Sequence, residues 1–167
     1  MTVSAENILD LIRKNFGDSS ARFSDIRSSP PCLTVPKELL LPVCRFLKEN
    51  PDTGFDMLSC VTGIDNYPDS QTLEVMYHLN SIPNEIQLAL RIILDRPPLP
   101  ELPETDSVSS IWKTAVWHER EIYDLIGIKF RNHPDLRRIL LPADWQGHPL
   151  RKDYKTGDYY HHVKIDY

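Results

Sequence analysis

The stretch FDMLSCVTGIDNYPDSQTLEVMYHLNSIPNEIQLALRIILD, residues 55–95, decides the fold. Leu73, Val75, Tyr77 and Leu79 alternate with Glu74, Met76, His78 and Asn80, and Ile86, Leu88, Leu90, Ile92 and Leu94 recur in the same way. A period of two sends the two sets to opposite faces of a strand. Turn formers at Tyr67-Pro68-Asp69-Ser70 and at Pro83-Asn84 separate these runs from each other and from FDMLSCVTGID. Three extended runs joined by two short turns predict an antiparallel meander with one apolar face to cover.

Amphipathic segments on both sides supply the cover. Ile8, Leu11, Ile12 and Phe16 share a helical face behind Ser4, a candidate N-cap. Short extended pieces are expected around 21–27 and 32–35. Pro36 suits the first turn of a second helix running to Leu47, with Leu39, Leu40, Val43 and Leu47 on one side. Pro42 is expected to kink that helix or delay its start. After the proline-rich loop DRPPLPELPETD, a third helix is expected from Val108 to Leu125. The expectation is an α+β protein: a two-layer sandwich whose antiparallel-rich mixed sheet carries helices on one face, followed by an extended irregular C-terminal arm. The domain takes residues 1–130 and the arm 131–167.

Composition bounds the function. No apolar run approaches the roughly 20 residues that cross a bilayer, and the amphipathic start contains acids, unlike an export signal. The chain is therefore expected in the cytoplasm or on the cytoplasmic side of a membrane. Cys32, Cys44 and Cys60 lack the close pairing that holds zinc or an iron–sulfur cluster, and the 6 glycines never cluster into a phosphate loop. The net charge of −5 is unevenly spread: 12 Lys and Arg oppose 19 Asp and Glu in residues 1–130, but 7 oppose 5 in residues 131–167. Arg137, Arg138, Arg151 and Lys152 form two basic pairs, yet a pI near 5.6 is no footprint for nucleic acid.

The densest chemistry is WHEREIYDLIG, residues 117–127. On a helix, Glu119 falls within the apolar stripe of Val108, Trp112, Ala115, Val116, Ile122, Tyr123 and Ile126, while Arg120, Glu121 and Asp124 point away beside Trp117. A carboxylate on a buried face needs a partner, and Arg137 or Arg138 is the expected one. The rival is a catalytic pair, a stand-alone hydrolase using Glu119 and Glu121. A zinc-protease helix is excluded, because the position four residues after His118 is Ile122. Gly127 ends the helix. Beyond it, Ile139, Leu140, Leu141, Trp145, Leu150, Tyr154 and Tyr159 are too apolar for a solvated linker and too aperiodic for a helix or strand. Such a segment buries its side chains by lying along another protein, by wrapping its own sheet, or by both in turn.

Residues 117–154, WHEREIYDLIGIKFRNHPDLRRILLPADWQGHPLRKDY, closely resemble the signature of the 30 kDa subunit (the C subunit) of respiratory complex I, the NADH:quinone oxidoreductase NDH-1. The resemblance rests on Trp117, Glu119-Arg120-Glu121, Tyr123-Asp124, Gly127, His133-Pro134-Asp135-Leu136-Arg137-Arg138, Trp145 and Gly147-His148-Pro149-Leu150-Arg151-Lys152-Asp153-Tyr154. Asn132 stands where the family often has Gly, and Asn tolerates the same left-handed backbone. The resemblance implies a non-catalytic peripheral-arm subunit of a proton-translocating enzyme. Those residues would be structural or interfacial, with no catalytic, cofactor or metal role. FMN, Fe–S clusters and quinone would lie in the partners, which are chiefly the D subunit and also the B and I subunits. Attachment to the cytoplasmic side of the inner membrane would come through the complex only. The nearest alternative is the equivalent subunit of a ferredoxin- or F420-fed dehydrogenase or a membrane-bound NiFe hydrogenase.

Overall fold

The three alternating runs form strands β3 (Met57–Asp65), β4 (Thr72–Ser81) and β5 (Ile86–Asp95). β4 and β5 pair antiparallel in register, from Leu73 opposite Leu94 to Leu79 opposite Leu88. Before them come α1 (Ala5–Phe16), β1 (Arg22–Asp25), β2 (Cys32–Thr34), a 3-10 turn (Lys37–Leu39) and α2 (Leu40–Glu49). This computed structural model describes residues 4–25 and 28–164. Residues 26–27 of the expected extended piece and 165–167 of the expected arm lie outside that range.

The central sheet has the order β1-β2-β5-β4-β3, with β2 parallel to β5 and every other pair antiparallel. It is therefore mixed and antiparallel-rich. Alternation along β4 buries Leu73, Val75, Tyr77 and Leu79. Against that face pack Ile8, Leu9 and Ile12 of α1 and Leu40, Val43, Cys44 and Leu47 of α2, completing a two-layer α+β sandwich. Ser4 caps α1 as expected, its Oγ accepting from the Asn7 amide at 3.3 Å. Pro42 delays α2 rather than kinking it. The helix begins at Leu40, which places the proline in the first turn, where a missing amide has no intrahelical partner to lose.

The third helix is shorter than its periodicity suggests. α3 spans Ala115–Leu125, and Ser107 to Thr114 form turns instead. The Val108 amide donates to the Glu119 carboxylate at 2.8 Å, and the hydroxyls of Ser107 and Ser109 bond to each other at 2.6 Å. Serines that satisfy local polar groups compete with helical pairing. α3 packs on β3 at Gly63, where an added Cβ would lie 2.8 Å from Ile126 and 2.9 Å from Ile122. Flanking it, β6 (Glu104–Asp106) and β7 (Lys129–Arg131) pair in parallel, so regular structure continues one residue past the expected boundary at 130. A small hairpin follows, β8 (Tyr159–Tyr160) against β9 (Val163–Lys164).

Candidate functional site

The charged face of α3 is not a solvated face. Arg120 is 8% exposed and Asp124 0%, because the segment after β7 folds back over them. Arg120 Nε donates to the Arg137 carbonyl at 3.1 Å and Nη2 to that of Arg138 at 3.0 Å. One turn on, Asp124 Oδ2 accepts the amides of Ile139, Leu140 and Leu141 at 3.0, 2.8 and 2.9 Å. Arg138 Nη1 closes the nest with a 2.7 Å bond to Oδ1. Burial pushes the Asp124 carboxyl up, but the Leu141 amide, the Arg138 guanidinium and the other two amides outweigh it and hold the group below its usual range. A cation and an anion four residues apart on one helix thus grip consecutive carbonyls and amides of an aperiodic stretch of chain.

The same segment caps the end of α3. Of the carbonyls a helix end leaves open, Ile122 and Tyr123 are met by the Ile126 and Gly127 amides, and those from Asp124 onward by groups from far along the chain. Arg138 Nη1 and His148 Nδ1 reach the Asp124 carbonyl at 3.1 and 3.0 Å, and the Leu150 amide donates to Leu125 at 2.9 Å. Arg151 Nε donates to Ile126 at 2.7 Å. Arg138 Nη2 also binds the carbonyls of Trp145 and Gly147, which closes the intervening loop. Gly127 has φ +76 and faces the His148 ring, where a Cβ would lie 2.5 Å from Cδ2. Burial lowers the His148 pKa, with the charges of Arg138 and Arg151 adding to it against the Asp124 carbonyl and carboxylate. Cations around a helix C-terminus are favourable in any case.

Glu119 has a different environment from its neighbours. It is 0% exposed and bonds to Ser107 Oγ at 2.6 Å and to the Val108 amide, not to an arginine. The expected pairing with Arg137 or Arg138 is corrected: Arg138 is engaged with Asp124, and Arg137 is at the surface with Asp135 at 3.0 Å. His133 Nε2 lies 3.9 Å from Glu119 Oε2, but bonds to the Val116 carbonyl at 3.0 Å, while its Nδ1 accepts the Asp135 amide. Asn132, φ 61, makes the left-handed step that sets this turn. Burial raises the Glu119 carboxyl to about 7 despite Ser107 and Val108. Glu121 is exposed, so the two acids of the hydrolase reading do not converge on one cleft.

The remaining signature residues divide by exposure. Trp117 is 61% exposed, with the Arg120 guanidinium 5.6 Å from its ring centre, and Pro134, Asp135, Leu150, Lys152 and Asp153 are also at the surface. Tyr123, Leu136 and Pro149 are half-buried. Trp145 Nε1 donates to the Tyr154 hydroxyl at 3.1 Å, and Gly147, φ +80, leaves room for the Tyr154 ring. Two anchoring residues escaped the sequence reading. Asp65, at the end of β3, accepts both Arg96 nitrogens at 2.9 and 3.1 Å and the Lys152 amide at 2.9 Å. Arg96 also reaches Asp153 and stacks over Tyr67 at 4.9 Å. The one available signal was a charge closing each of two apolar strand runs.

The chain is thus an α+β sandwich with a long irregular segment clamped to one helix. Residues 33–160 match the family model described as respiratory-chain NADH dehydrogenase, 30 Kd subunit, and the chain belongs to that family. It is similar to the C subunit of NADH-quinone oxidoreductase from Chlorobium phaeobacteroides, with 36% identity over 95% of this chain and 93% of that protein. The corresponding C 2 subunit of Rhizobium etli is 44% identical over 75% of this chain, which spans 64% of that longer relative. The fold matches a chain of an archaeal membrane-bound sulfane sulfur reductase, a respiratory membrane complex, with a TM-score of 0.73 and 21% identity over 90% of this chain and 85% of that one. No helix among the described residues is long and apolar enough to cross a membrane.

Proposed function

We propose that this chain is a non-catalytic subunit of a proton-translocating NADH:quinone oxidoreductase, attached to the cytoplasmic side of the membrane through its partners. The segment from His133 to Tyr154 is its docking element. It bears on the D subunit, which helps form the quinone site, and supports the neighbouring B and I subunits. FMN, Fe–S clusters and quinone belong to those partners, and this chain's contribution is shape and placement.

One observation carries this reading. The backbone of the segment is held from inside by Arg120, Asp124 and Arg138, and Arg151 ties it to the Ile126 carbonyl, while Leu140 at 63% exposure and Leu150 at 57% face outward. Apolar side chains on a pre-organised backbone are what an interface needs, since little ordering entropy remains to be lost on docking. Relatives named NADH-quinone oxidoreductase support the electron donor over the sulfur-reductase plan, with which only the fold is shared. Affinity purification of the tagged chain from membranes of its native host tests the reading. Co-purification with quinone-reductase subunits, lost on Leu140→Glu, is expected. Recovery as a free monomer refutes it.

A further inference from the structure

The sheet has a second open surface, at its β3 edge, which borders the clamped segment at Leu150. β3 is the terminal strand, paired with β4 on one side only. Among the described residues no backbone hydrogen bond from any element other than β4 reaches Cys60–Ile64. The opening is bounded at both ends. At one, the Thr114 hydroxyl donates to the Leu58 carbonyl at 3.1 Å; at the other, the Lys152 amide is fixed on Asp65. Between them runs a groove of about 250 Å³, with Ile122, Leu125, Ile126 and Leu150 along it and His118 and Glu121 on its rim. Leu150 is exposed although its amide is pinned to Leu125. Proteins normally blunt such an edge with lysine, proline or a covering loop, yet among the described residues no Lys, Arg or Pro lines this groove.

We infer that the groove receives an extended segment of a partner subunit, added beside β3 as a further strand. That segment sets an aliphatic side chain against Leu125 and Leu150 and a Lys or Arg against Glu121. Edge addition supplies main-chain hydrogen bonds, and side-chain pockets then select the sequence. Charge chooses the occupant: among the described residues Glu121 is the one carboxylate lining the groove, and no Lys or Arg lines it. A second copy of this chain, paired β3 to β3, brings a second Glu121 to the same seam and is disfavoured. The inference rests on the docking reading above and extends it to the β3 edge, with Leu150 common to both surfaces.

Cys60 borders the groove but also an opening beside Ser59, His78 and Asn80, whereas Cys32 and Cys44 are buried, so backbone amide exchange decides and Cys60 labelling accompanies it. N-ethylmaleimide is applied to the isolated chain and to the complex purified from membranes, with amide exchange followed over Cys60–Ile64. Cys60 labelling and fast exchange in the isolated chain, both lost in the complex, are expected. Glu121→Arg is expected to restore labelling, because the substitution sits at an exposed position and leaves the fold intact. If the complex contains the chain but the Cys60–Ile64 amides exchange as in the free chain, the groove is not an interface and the docking reading stands. If the chain never enters the complex, both fall. Protection that appears in the isolated chain together with a dimer assigns the groove to a second copy and overturns the partner assignment.

Discussion

Glu119 makes the sharpest prediction, because its carboxyl sits in the core bonded to a hydroxyl and an amide rather than to an arginine. Burial raises its pKa from 4.5 to about 7, and the Ser107 hydroxyl and Val108 amide only partly offset this. The folded chain therefore retains a proton that the unfolded chain releases between those two values. The resulting stabilisation is fully present below pH 4.5 and is lost as pH rises through about 7. At about 1.4 kcal/mol per unit, the loss approaches roughly 3 kcal/mol. Glu119→Gln removes the titration and keeps the shape: its carbonyl still accepts from Val108, and its amide donates to Ser107 Oγ. His148 works in the opposite direction, since its lowered pKa adds stability as pH rises towards 6.5, so the wild-type curve alone is not diagnostic. Urea unfolding of both proteins at several pH values between 5 and 8.5 isolates the Glu119 contribution as their difference. The variant should gain on the wild type steadily with pH, by about 3 kcal/mol across the window. A constant difference between the two would show that Glu119 ionises in the fold as easily as in the unfolded chain, and would refute the argument.

Asp124→Asn should destabilise by on the order of 3–5 kcal/mol, since it leaves the Arg138 cation without its anion. It should also flatten the loss of stability on acidification below pH 3.8, because the depressed Asp124 pKa places its contribution above that value, as titrated denaturation would reveal. Gly127→Ala should release the clamped segment, because the new Cβ meets His148 at a positive φ; faster amide exchange at Leu150 with little change in the sheet is the readout. Gly63→Ala should cost about 1–3 kcal/mol by overpacking Ile122 and Ile126, measurable as a lower midpoint of unfolding. Trp117→Ala should change stability by about 0.5 kcal/mol or less, as an exposed side chain, while lowering the yield of assembled complex.

The strands were legible because period two along Leu73–Leu79 and Ile86–Leu94 reports which side chains share a face, and neither run needs a distant residue to explain it. Ser4, Gly127 and Asn132 were legible for a similar reason: capping and left-handed backbone are local demands. The motif WHEREIYDLIG was legible as a cluster and as a family signature. Its wiring was not. Helical periodicity identified one buried face of α3 and pointed Arg120 and Asp124 away from it, whereas both are buried by chain that arrives 14 to 24 positions later.

By itself the sequence determined the meander, the helices that cover it and the family, all of which follow from local periodicity or from residue identities at short spacing. Only the tertiary structure decided that Asp124, not Glu119, takes Arg138, that Glu119 bonds to Ser107 and Val108, and that Asp65 and Arg96 tie down the far end of the segment. The physical reason is that a charge's environment depends on what covers it. An aperiodic segment covers α3 through hydrogen bonds from its backbone, and a main-chain amide or carbonyl leaves no signature in the sequence that carries it.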